Sequence, residues 1–176
     1  MKKGLYLVPD RLPLGGKWSP GEALALSTLI EDAGGRYQVC GPNAFNRYGF
    51  ADQIPTVTYA YNNRYSGRRR IGSVALSLIK VSDRRLGATE SVPTSDGHSL
   101  VYSSRLRTLI DAVYDWSRFN GLPRAYGWIR EEIVKDSRVA GTLVQLALEY
   151  GNQGTVRRIG YLLEREAVGA AVVRKL

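Results

Sequence analysis

The run Thr56-Val57-Thr58-Tyr59-Ala60-Tyr61, the turn-prone Asn62–Gly67 and the apolar alternation within Arg68–Val81 together decide the fold. β-branched and aromatic residues dominate the first run, which reads as a strand. In the last, Ile71, Val74, Leu76 and Leu78 alternate with small residues as far as Lys80, and one long strand is expected. Asn, Ser and Gly between them supply turn chemistry, so the two strands are expected to form a hairpin. Its turn and second strand are rich in arginine: Arg64, Arg68, Arg69 and Arg70, with Tyr65 among them.

On the N-terminal side, Arg36–Cys40 is short and β-prone. Gly41-Pro42-Asn43 opens a brief helix that carries Ala44, Phe45 and Tyr48 and closes at Gly49, and Pro55 marks the next boundary. An earlier helix is signed by Ser19-Pro20-Gly21-Glu22, which has the spacing of a capping box with Pro at the first helical position. Leu26, Leu29, Ile30 and Ala33 form its apolar stripe, and Gly34-Gly35 stops it. Residues 1–18 carry Pro9, Pro13, Gly15 and Gly16 and read as a short strand, Gly4–Val8, followed by a loop.

On the C-terminal side, Ser82–Pro93 reads as loop, Thr94–Gly97 as a turn and His98–Tyr102 as a short strand. The chain then becomes helical. Ser103 or Ser104 caps a helix with the stripe Leu106, Leu109, Ile110, Val113 and Tyr114, which runs to Asn120-Gly121. Further helices are expected near Pro123–Lys135, around Leu143–Tyr150, and from Val156 to Ala167 with Gly160 on the stripe. The expected class is therefore α+β. A small mixed or antiparallel sheet with helices fills the front half, and a helical C-terminal half packs on it. The parts are 1–18, an α/β sheet subdomain at 19–103 and a helical subdomain at 104–176, together one unit.

Composition bounds the function. The chain has 176 residues, 44% of them hydrophobic, with one cysteine and one histidine. That excludes a disulfide framework and a multi-cysteine zinc site. No apolar run approaches the ~18 residues of a membrane span. The N-terminal apolar stretch is shorter than a signal sequence needs, so a reduced, cytoplasmic protein is expected, with no membrane partner. Twenty-five basic against sixteen acidic residues give a net charge of +9. An excess of this kind favours a polyanionic partner.

The charge is concentrated. Residues 64–86 hold Arg64, Arg68, Arg69, Arg70, Lys80, Arg84 and Arg85 against the single acid Asp83. These cations, with Tyr65 as a stacking ring, are the candidate nucleic-acid-binding residues. The opposing reading is a solvated loop whose charge serves solubility. Arg157-Arg158 and Arg174-Lys175 read as the polar faces of packed helices. His98 beside Asp96, Ser95 and Ser99 reads as a turn residue, since no strained nucleophile motif is present. Cys40 stands at a strand-to-helix junction, where a thiol is either reactive or a small core residue; the core reading is preferred. Asp111 and Asp115, with Arg107 and Arg118 a turn away on either side, read as two surface ion pairs. No glycine-rich nucleotide loop occurs. No catalytic residue, metal or cofactor is expected.

Three stretches resemble the AbiEi-type antitoxins, transcriptional regulators of bacterial type IV toxin–antitoxin and abortive-infection systems. Gly41–Pro55 resembles the family's G-x-x-A-x-x-x-x-G-[LF]-x-x-Q-[IV]-P run. Arg105–Tyr114 resembles its E-R-T-L-[LI]-D-[AS]-L-Y helix, and Val156–Glu164 its [LV]-x-R-[LI]-G-Y-L-L-E end. The resemblance extends over residues 4–168. It departs at the front, where the family's winged helix-turn-helix would precede Gly4-Leu5-Tyr6; residues 1–18 are expected to be the remnant of its wing. The resemblance implies a non-enzymatic regulator that counters a nucleotidyltransferase toxin without a stable complex and takes part in repressing its own operon, with operator DNA as a further partner. Two alternatives stay open. One is a stand-alone nucleic-acid-binding protein using the Arg64–Arg70 hairpin. The other is an enzyme related to nucleotidyltransferases, whose layout the element order matches. Against the latter, Thr56–Tyr61 stands where such enzymes carry metal-holding carboxylates, and it has none.

Overall fold

A computed structural model describes residues 7–8 and 18–166. The expected strand at Gly4–Val8, the end of the last helix at Ala167 and the Arg174-Lys175 pair therefore lie wholly or mostly outside the described residues. The chain is α+β, as its patterning indicates. In order it forms α1 (Glu22–Ile30), β1 (Tyr37–Val39), α2 (Pro42–Arg47), β2 (Thr58–Asn62), β3 (Gly67–Ile71) and β4 (Val74–Lys80). A single 3-10 turn at Asp83–Arg85 leads to β5 (Thr89–Pro93) and β6 (Ser99–Ser103). The helices α3 (Arg105–Tyr114), α4 (Trp116–Phe119), α5 (Arg124–Lys135), α6 (Val139–Tyr150) and α7 (Gln153–Arg165) follow.

The strands make one six-stranded mixed sheet in the order β3-β4-β2-β1-β6-β5. Alternation along the strands gives the sheet two apolar faces. Tyr37, Val39, Ala60, Leu76 and Leu78 meet Ala23, Leu26 and Ile30 of α1 on one side. Cys40, Tyr61 and Ile79 meet Leu109, Ile110 and Val113 of α3 on the other, with α5, α6 and α7 outside it. The α3 stripe Leu109, Ile110 and Val113 is fully buried. Burial of such a side chain is worth about 1.5–3 kcal/mol, so this helix is the centre of the larger core. Sheet and helical half share that core and form one packed unit.

Three expectations about the strands change. Arg68–Val81 is not one strand but two, β3 and β4, folded antiparallel about Gly72-Ser73. Gly72 has φ +59, a conformation glycine adopts cheaply, and a Cβ there would run into Ser19. Nor does β2 form a hairpin with its successor. β4 inserts between β2 and β3 and runs parallel to β2, from Thr58 opposite Leu76 to Asn62 opposite Lys80. Residues 89–93, read as loop, form the edge strand β5 on β6, with Thr89 opposite Ser103.

Two helix boundaries also shift. α1 begins at Glu22 with Gly21 as its N-cap, and Ser19 makes no capping bond. Ser19 Oγ instead receives the Ser73 amide at 2.8 Å and so ties the β3–β4 turn to the start of α1. The helix expected to run to Asn120 breaks at Asp115, and Asn120 ends α4 in the left-handed conformation.

Candidate nucleic-acid interface

β3 is an edge strand, and its Arg68, Arg69 and Arg70 are all exposed. They do not belong to a hairpin with β2, as expected; their hairpin is with β4, and its tip, Gly72-Ser73, is docked on Ser19. They lie along the rim. Arg69 pairs opposite Leu76, on the face that α1 covers, while Arg68 and Arg70 pair opposite Ser77 and Ala75 on the other face. The three guanidinium groups therefore straddle the sheet edge. None makes an ion pair among the described residues; Arg69 only donates to the Arg68 carbonyl at 2.9 Å.

The rim continues around one end of the sheet. β2 and β4 end together, and β3 starts opposite Leu78, which gathers Arg64, Arg68, Lys80 and Arg84 at that end. The turn leading into β3 is held by buried Asn62, whose Oδ1 receives the amides of Arg64 (2.9 Å) and Tyr65 (2.6 Å). Arg64 is exposed and reaches back to the Gly34 carbonyl at 2.5 Å. Lys80 and Arg84 are exposed as well. The single acid of the run is occupied elsewhere: Asp83 pairs with Arg36 at 3.6 Å and accepts from Asn63 at 2.6 Å.

Two of the candidate residues are placed differently from expectation. The Tyr65 ring packs half-buried against the α1-side core, so it is not an open stacking platform. Arg85 is 6% exposed and belongs to the interior. Its Nη2 donates to Asp111 Oδ1 at 2.6 Å, and its guanidinium stacks on Tyr114 at 3.9 Å. Burial, the largest single influence, opposes its charge, but the Asp111 carboxylate together with the Tyr61 and Tyr114 hydroxyls outweighs it, so the guanidinium holds its proton more tightly than usual.

Asp111 organises a buried polar network that sequence reading missed. Arg107, fully buried and stacked on Tyr150 at 3.9 Å, donates from Nε to Asp111 Oδ1 at 3.0 Å. It also donates to the carbonyls of Gly87 (2.9 Å) and Arg85 (2.7 Å). Ser103 Oγ donates to Asp111 Oδ2 at 2.9 Å and accepts from Gln38 at 2.7 Å; Gln38 in turn receives the Gly87 amide at 2.9 Å. The network fastens β1, β6, α3 and the segment after the 3-10 turn to one another. The expected surface pair of Asp111 is thus an interior one, because α3 lies between the sheet and the outer helices.

The remaining chemistry is structural. Asp115 accepts from Tyr61 Oη at 2.7 Å and lies 3.7 Å from Arg118. Cys40 is fully buried, and burial pushes its thiol well above the ordinary range, which favours the core reading over a reactive one. His98 is exposed, and its backbone closes the β5–β6 turn with Thr94 and Asp96. Arg105 clamps Glu132 through two bonds of 2.8 Å, and Lys135 adds a third at 2.8 Å. These partners, Arg105 first, hold the Glu132 carboxyl down at about 2. β2 presents Thr58, Tyr59, Ala60, Tyr61 and Asn62, and Thr58 donates to Glu22 at 2.9 Å. Among the described residues no three His, Cys, Asp or Glu side chains are grouped to hold a metal, and no helix is long and apolar enough to cross a membrane.

The three stretches that carry the resemblance meet in one core, through Phe45 and Phe50, through Leu109, Ile110 and Val113, and through Ile159, Leu162 and Leu163. Comparison with models of protein families and with curated proteins finds no match to this chain.

Proposed function

We propose that this chain is a non-enzymatic, antitoxin-like regulator that lays the basic rim of its sheet along the phosphate backbone of DNA in the cytoplasm. The observation that carries the reading is three consecutive exposed arginines on an edge strand, without ion-pair partners among the described residues. Arg64, Lys80 and Arg84 extend the same surface. A single charge is enough to stop an edge strand from pairing with another sheet. Three in succession, with more at the strand's end, make a surface suited to a polyanion. Contacts of this kind position a protein on nucleic acid without selecting a sequence. Countering a nucleotidyltransferase toxin is the second part of the proposal. It draws on the resemblance of Gly41–Pro55, Arg105–Tyr114 and Val156–Glu164 to the AbiEi-type antitoxins, and on a β2 strand without carboxylates.

Duplex binding followed by fluorescence anisotropy across a salt series tests the first part. Affinity falls as salt rises, by about 0.9 in log–log slope for each phosphate neutralised. The R68A/R69A/R70A variant is expected to lower that slope by about 2–3. Binding with no salt dependence, or an unchanged slope in the triple variant, overturns the rim. Co-expression with a nucleotidyltransferase toxin tests the second part, since failure to restore growth removes the antitoxin role.

A further inference from the structure

We infer that the cleft between the end of β4 and the start of α7 binds a phosphate group. The cleft has a volume of about 460 Å³ and is lined by Lys80, Arg84, Arg85, Tyr114 and, at the start of α7, its N-cap Asn152 and first residue Gln153, with Glu149 as the one acid. It is larger than a bare phosphate needs, and it lies within the ~300–1,000 Å³ typical of small-ligand sites.

The argument begins beneath the cleft. Arg85, Asp111 and Arg107 form a buried group of two cations and one anion, which leaves a net positive charge inside the protein. Arg107 has every nitrogen engaged. Arg85 does not: its Nε and Nη1 are buried without a hydrogen-bond partner, although the side chain is more than nine-tenths buried and forms part of the cleft wall. Native proteins leave few buried polar atoms unpaired, because each has given up its hydrogen bonds to water without replacing them. An anion in the cleft would compensate the charge and offer the Arg85 guanidinium, which lines it, a second acceptor. The other wall supplies more of the same polarity. α7 is a 13-residue helix whose Asn152 side chain caps the Thr155 amide at 2.8 Å. The amides of Gln153 and Gly154 have no acceptor within the helix, and the positive end of its dipole faces the cleft. Lys80 and Arg84, both exposed, add two further cations to the lining. A phosphate has the oxygens to be shared among a guanidinium, an ammonium and helix-start amides.

The inference does not rest on the DNA reading, and the test separates the two. Inorganic phosphate is titrated into the full chain at constant ionic strength, with chloride as the control, by calorimetry and by amide shifts of Gln153–Thr155. Saturable binding is expected. Gln153→Glu places a carboxylate at the helix start; it should preserve or raise the melting temperature without phosphate yet weaken phosphate binding about tenfold. Arg85→Met should weaken it similarly, and R68A/R69A/R70A should leave it unchanged. A nucleoside 5′-monophosphate, and a short oligonucleotide with and without its 5′-phosphate, identify the source. Preference for the nucleotide assigns a small ligand, and preference for the phosphorylated oligonucleotide assigns a strand end; either supports the site. No saturable response to inorganic phosphate, or wild-type affinity in both Gln153→Glu and Arg85→Met, overturns it.

Discussion

Arg84 and Arg85 are neighbours in sequence and opposites in the structure. Arg84 stands in solvent at the end of the sheet; Arg85 lies inside, stacked on Tyr114 and bonded to Asp111. The same contrast divides the rim arginines of β3 from Arg107 of α3. Rim arginines remain solvated and keep their charge available to a partner at little cost to stability. Interior arginines have given up water, and their energetics are set by whether a carboxylate and carbonyl oxygens replace it. One residue type thus leaves charge open to solvent on one side of the molecule and provides cohesion on the other.

The contrast can be broken most forcefully at Asp111. Asp111→Asn leaves Arg85 and Arg107 as two buried cations with no anion between them. A loss of about 3–5 kcal/mol in denaturant unfolding is expected. Arg85→Met is the sharpening comparison. It leaves Arg107 and Asp111 as a neutral pair and fills the space with an apolar chain, so its cost should be under about half that of Asp111→Asn. Equal losses in the two variants would show that net buried charge is not what matters there.

An intermediate effect is expected from Glu132, which joins a half-buried arginine to an exposed lysine. Its folded pKa of about 2 lies below the unfolded value near 4.5. The carboxyl group therefore contributes stability that is fully present above about pH 5 and is lost as pH falls toward 2. The loss should be on the order of 2 kcal/mol after allowance for solvent screening, and Glu132→Gln should flatten it. A wild-type melting temperature that is level from pH 5 to pH 2.5 would contradict this.

The smallest effect belongs to the rim. R68A/R69A/R70A should change unfolding free energy by no more than about 0.5 kcal/mol, since surface substitutions away from packing do little. A larger loss would mean that these side chains hold the sheet edge together and are not free for a ligand.

Elements whose cause is local were readable from the residues. The stripes of α3, α6 and α7 and the β-forming run of β2 appear where their periodicity places them, and the turn at Gly41 opens α2. The β3–β4 break was also local, in Ile71-Gly72-Ser73-Val74, but the apolar alternation on both sides of Gly72 masked it. β5 was hidden for a different reason. Thr89-Glu90-Ser91-Val92-Pro93 is polar and ends in proline, and only pairing with β6 makes it a strand. The candidate site divides in the same way. The clustering of cations was plain, while the burial of Arg85 and the half-burial of the Tyr65 ring were not.

By itself, the order of residues determined that the chain is α+β, strongly basic and equipped with one dense run of arginines. Periodicity and charge are properties of neighbours along the chain. Only the tertiary structure decided which arginines meet solvent and which meet Asp111. That choice depends on α3 being pressed between the sheet and three outer helices, an arrangement made by residues far apart in sequence. Burial changes the worth of a charge by several kcal/mol, and burial is a property of the packed whole.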